Sequence, residues 1–212
     1  MQTYKKYFFD KHYLESLFAG IVALFGSLII NFYAGTYATE RASNAVTDII
    51  LSNTKVYDLD GFFVFGPVVL IFFVALLCAI RPQKLPFILK STALFIVIRS
   101  VFISITHIGP FPDQMAIVTG ARIIRDFTFG GDLFFSAHTG LPFLMALMFY
   151  KNKNLRYLFI GIAVLFGGVV LLSHRHYSID VLSAFFITYT IYNICIRLFK
   201  TDFVIFNQEN TN

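Results

Sequence analysis

Two short polar segments, residues 131–139 (GDLFFSAHT) and 173–180 (SHRHYSID), interrupt a sequence that is otherwise strongly apolar. The second holds His176 and Asp180, four residues apart. If a helix begins near Tyr177, the two side chains lie on one face, one turn apart. A carboxylate so placed accepts the imidazole N–H, fixes the tautomer and raises the basicity of the other ring nitrogen. His176 then has the equipment of a nucleophile toward phosphorus. His138, from the first segment, has that of a general acid on the leaving group and later a base on the acceptor. The same spacing also suits a plainer arrangement, in which Asp180 caps a helix beside an interfacial imidazole.

Two further chemistries draw on the same residues. His138, His174, His176 and Asp180 are a ligand-like set, because His-x-His with a nearby carboxylate suits a metal ion; activity insensitive to chelators would exclude that reading. A small transporter could use them as a proton relay, although a transport site is expected near the membrane midplane and these residues gather at one face.

The elements that must position them are membrane helices. With 57% hydrophobic and only 14% charged residues, and a mean hydropathy of +0.71, the chain lacks the polar surface to clothe a soluble globule. Crossing a hydrocarbon core takes about 20 residues. Six spans are predicted, at about 16–38, 61–80, 91–109, 133–150, 157–172 and 180–196, and only the third carries an internal charge, Arg99. Lipid forces backbone polar groups to be satisfied within each segment, and sustained apolar runs argue against a barrel. The fold class is therefore all-α, a single six-helix integral membrane domain over residues 1–212. The first span is too long for a signal-peptide core and is expected to be retained.

Orientation follows from the basic residues. Lys5, Lys6, Lys11, Arg81, Lys84, Lys90, Lys151, Lys153, Arg156, Arg197 and Lys200 fall on one side, against Arg41, Lys55, Arg122, Arg125 and Arg175 on the other. Eleven against five places both termini in the cytoplasm. His107, His138, His174 and His176 then sit at or near the outer ends of helices, with Asp132 and Asp180 at the same depth. The net charge of +5 is mostly this topology signal. It gives no ground for a nucleic-acid partner, because no basic cluster is interleaved with exposed aromatics. Cys78 and Cys195 read as apolar filler near the cytoplasmic side. Asp58 and Asp60 read as a solvated helix boundary, and the tail after Lys200 as frayed.

Residues 131–139 and 174–180 resemble the second and third motifs of the sphingomyelin synthase-like branch of the type 2 phosphatidic acid phosphatase superfamily. The run 99–106, followed by residues 109–112, resembles the segment that precedes them in that branch. The resemblance implies two-step phosphoryl transfer at the outer leaflet, with His176 as nucleophile, Asp180 orienting it and His138 handling the proton. It implies no metal or cofactor. The partners are a membrane phospholipid donor and an acceptor: water gives a phosphatase, and a lipid hydroxyl of the ceramide or diacylglycerol type gives a transferase.

The motifs also carry Asp132, Ser136, His174 and Arg175 as substrate-contacting positions, with Arg99 beside them. The departures bear on the reaction. Ala137 stands where the family has glycine. Val169 and Val170 occupy the place of the phosphatases' Ser-Arg pair, so neutralisation of a phosphate falls to Arg99, Arg122, Arg125 or Arg175. For Arg99 the alternative is snorkelling to the outer interface. Head-group transfer in the plasma (inner) membrane, with the site on the outer face, is the expectation, and hydrolysis is the alternative. No feature of the sequence specifies an oligomeric state.

Overall fold

Helix α1 covers Lys11–Glu40, α2 Asp60–Ile80, α3 Leu85–Ile105, α4 Ala137–Met148, α5 Lys153–Leu172, α6 Ser178–Leu198 and α7 Lys200–Phe206, with short 3-10 turns at Leu51–Asn53 and Pro82–Lys84. The computed structural model describes residues 7, 9–114 and 132–208. Arg122 and Arg125 lie outside the described residues. Among the described residues five helices are long and apolar enough to cross a membrane: α1, α2, α3 with its preceding turn, α5 and α6.

The helix starts have local causes. The Asp10 carboxylate accepts from the N–H groups of His12 and Tyr13, and Asn152 accepts from Leu155, so α1 and α5 begin where a side chain satisfies their first free donors. α1 therefore starts five residues before the expected Ser16. At 30 residues it is about 45 Å long, more than a hydrocarbon core requires.

The fourth expected span, 133–150, is a helix only over Ala137–Met148. Twelve residues make about 18 Å, short of a full crossing. The reason lies at Arg99, which is buried and donates from Nε to the Phe135 carbonyl at 2.8 Å and from Nη2 to the Asp132 carbonyl. Backbone carbonyls held by a guanidinium are satisfied without a helix, and non-helical backbone at membrane depth is tolerated when it is buried in protein. The third span also ends early, at Ile105 rather than 109.

This short helix is the centre of the bundle. Seven of its twelve residues are buried, against six of thirty in α1. It packs on α3, α5 and α6, while α1 lies along α3. Phe95, Phe135, Leu144, Phe159 and Ile191 form the core around it, all fully buried or nearly so. Over residues 201–206 the segment after Lys200 is not frayed: α7 is helical and folds under the bundle with Phe206 1% exposed, because Lys84 donates to the Phe206 carbonyl and Lys90 pairs with Asp202.

Candidate active site

Between α5 and α6 the chain folds back on the last turn of α5. The N–H groups of Arg175 and His176 both point at the Val170 carbonyl, at 2.9 and 3.3 Å, and His174 adopts a left-handed conformation with φ 53° to allow it. This recoil buries three consecutive polar residues, His174, Arg175 and His176, at 2–6% exposure.

Asp180 is completely buried in the first turn of α6. Its Oδ2 accepts from the Tyr177 backbone N–H at 2.9 Å and lies 3.3 Å from His176 Nδ1. The cap and the imidazole partner, which the sequence offered as alternatives, are the same carboxylate. With Nδ1 donating to Asp180, the neutral His176 ring carries its lone pair on Nε2.

The two polar segments meet through the backbone, where the Ser136 N–H donates to the Asp180 carbonyl at 3.1 Å. Ser136 is fully buried, and its hydroxyl has no partner among the described residues. His138 follows in the first turn of α4. Its ring stacks on Phe63 with centroids 4.2 Å apart and planes 20° from parallel, and meets Phe166 edge-on at 6.3 Å. His138 Nε2 lies 3.1 Å from the Phe63 carbonyl oxygen. The charges facing His138 belong to Arg99 and Arg175.

Both described arginines near the site are already paired with carboxylates. Arg99 contacts Asp132 Oδ2 through both terminal nitrogens at 3.1 Å. Arg175 pairs with Asp60 and lies over the Phe63 ring at 4.5 Å. Asp60 is thus a buried partner of the site, correcting its reading as a solvated helix boundary. His174 turns toward the connecting loop, with Nε2 3.3 Å from Thr54 Oγ1 and its ring edge-on to Phe111.

Sequence reasoning missed Asp60, Phe63, Asp48 and Tyr177. Asp48 Oδ2 accepts from both the N–H and the hydroxyl of Ser178 at 2.7 Å, while its Oδ1 accepts from the N–H groups of Ile50 and Leu51. The Tyr177 hydroxyl donates to the Gly109 carbonyl and accepts from the Val46 N–H. One legible signal was available for α2: a proline at 67, four residues after Phe63, inside an otherwise unbroken apolar helix. Among the described residues no three His, Cys, Asp or Glu side chains are arranged to hold a metal ion.

A helical bundle of membrane-spanning length with a buried His–Asp pair and a second histidine at one end defines a candidate membrane enzyme of imidazole-mediated group transfer. Residues 130–196, which include His138, His174, His176 and Asp180, match the family model described as PAP2 superfamily C-terminal. That superfamily implies lipid phosphatase or phosphotransferase chemistry. No curated protein and no solved structure matches the chain.

Proposed function

We propose that the protein is a membrane lipid phosphotransferase of the sphingomyelin synthase-like kind, moving a phosphoryl head group from a phospholipid to a lipid hydroxyl at the outer leaflet. The observation that carries this is the buried His176–Asp180 pair, joined through Ser136 to the segment that presents His138. His176 Nε2 attacks phosphorus, the bond to the diacylglycerol oxygen breaks, and His138 gives that oxygen its proton. The acceptor hydroxyl then passes its proton to His138 and attacks the phosphohistidine, which releases His176.

Charge balance supports a phosphodiester donor. Among the described residues, Arg99 and Arg175 are each matched by a carboxylate, Asp132 and Asp60. A phosphodiester brings one negative charge into such a site and a phosphomonoester up to two, so the diester costs less to bury. An apolar cavity of about 610 Å³ supports a lipid substrate. It runs between α2 and α5, from Gly61, next to Asp60, past Gly66 and Val69 to Phe73, and Phe166 forms a wall shared with His138. We assign it to an acyl chain.

Purified protein incubated with labelled phospholipid, with and without ceramide or diacylglycerol, tests the reaction. Label should move into a new lipid only when the acceptor is present; release of free phosphate regardless of acceptor would make the protein a phosphatase. His176→Ala and His138→Ala should each abolish turnover, and Asp180→Asn should reduce it severely in protein that still elutes as folded. Full activity in either histidine variant removes the mechanism.

A further inference from the structure

Helix α2 contains Pro67 in its interior. In an α-helix the carbonyl of residue 63 accepts from the N–H of residue 67, and proline has none. The Phe63 carbonyl is therefore denied its regular helical donor, in surroundings where an unsatisfied carbonyl is costly. His138 Nε2 lies 3.1 Å from that oxygen. A carbonyl can only accept, so Nε2 carries the hydrogen, and the neutral ring bears its lone pair on Nδ1. The side chain of the same residue stacks on the imidazole at 4.2 Å, so the carbonyl sets the tautomer of His138 and the phenyl ring sets its plane.

We propose that Pro67 is a positioning residue: by withholding an N–H it reserves the Phe63 carbonyl for His138 and fixes a proton on Nε2, so that Nδ1 is the exchanging nitrogen, which takes up a proton before the donor lipid reacts, gives it to the leaving oxygen and recovers one from the acceptor hydroxyl. The inference rests on His138 as the proton-transfer group of the proposed reaction. It assigns part of the catalytic geometry to α2, which lies outside the matched residues 130–196. It also explains a proline in a membrane-length helix without invoking a kink.

Pro67→Ala tests it. The restored N–H competes with His138 for the same oxygen. Alanine is the better helix former, so the variant should fold and melt at least as well as the parent. Turnover should nevertheless fall about tenfold in kcat with KM within about twofold, the pattern of a lost transition-state contribution. The spectroscopic readout is ¹⁵N-histidine NMR, with the His138 resonances identified by their absence in His138→Ala. The parent should show the Nε2–H tautomer, and Pro67→Ala should shift toward Nδ1–H. Val68→Ala, at the neighbouring helix position, should change neither.

Retention of both the Nε2–H signature and kcat in Pro67→Ala overturns the proposal. So does a loss of kcat with the tautomer unchanged, which would make the proline merely structural. A shifted tautomer with full kcat overturns the proton-carrying role of Nδ1. Failure of the parent to turn over any lipid phosphate would instead sink the proposed reaction, and the NMR comparison would still decide whether Pro67 sets the ring.

Discussion

Arg175 stands between two histidines, where a phosphate-binding cation would be expected, yet its guanidinium is committed to Asp60 and lies over Phe63. Both partners are buried, at 4% and 10% side-chain exposure, so the pair has lost its water and depends on its own contact. Asp60→Ala would leave a guanidinium buried without its counter-charge. The expected cost is about 3–5 kcal/mol, read as a lowered thermal midpoint in detergent, and Asp60→Asn, which keeps an acceptor, should lose less. A parent-like midpoint for Asp60→Ala would mean that the pair does not hold the site. At this scale the sequence was legible where the relation is local. His176 and Asp180 are one helical turn apart, and that spacing alone foretells their contact. Asp60 and Arg175 are 115 positions apart, and no periodicity links them. Arg99 likewise had its charge noticed and its partner missed, because Asp132 and the two carbonyls it binds come from another segment.

Helix starts and ends explain the remaining differences between the apolar runs and the observed elements. A hydropathy run measures composition, and the stretch 133–150 is apolar throughout apart from a few positions. What stops the helix at Ala137 is that Arg99 has claimed the carbonyls before it. The start of α6 depends on a loop in the same way. Burial pushes the Asp48 carboxyl up, but the Ser178 hydroxyl and N–H, with the N–H groups of Leu51 and Ile50, outweigh it and hold the group below its ordinary value. A depressed value in the folded state stabilises above the unfolded pKa and is lost as pH falls through the folded one. The difference in melting temperature between the parent and Asp48→Ala should therefore be full at neutral pH, reflecting about 1–2 kcal/mol of capping, and should close below about pH 4. A difference independent of pH would assign the effect to packing. Gly109 fixes the other wall of this region. Its N–H donates to the Asn44 carbonyl, and an added Cβ would run into the Ser43 carbonyl oxygen. Gly109→Ala must push the two loops apart and release the Tyr177 hydroxyl, which binds the Gly109 carbonyl. Limited proteolysis should then cut within 41–59 in the variant sooner than in the parent.

The whole molecule has two unlike ends. One gathers the connecting segments 41–59, 106–114, 132–136 and 173–177 around the histidines. The other is tied by Tyr13 to the Pro82 carbonyl, by Lys84 to the Phe206 carbonyl, and by Lys90 to Ser16 and Asp202. Span length and the sorting of basic residues made this division legible, since both are summed properties that survive errors at individual positions. The packing that places α4 at the centre was not, because side-chain contacts between distant helices leave no mark on a hydropathy profile. The proposed reaction requires the histidine end to face outward, and the eleven-to-five distribution of Lys and Arg argues that it does. Single cysteines can decide the point, because the native Cys78 and Cys195 are buried, at 5% and 0% exposure, and should stay silent toward a bulky, membrane-impermeant maleimide. Ser52 and Gln208 are exposed at the two ends. Ser52→Cys should label in intact cells and Gln208→Cys only after permeabilisation. The reverse pattern would put His138 and His176 on the cytoplasmic side, and the donor lipid would then have to be drawn from the inner leaflet.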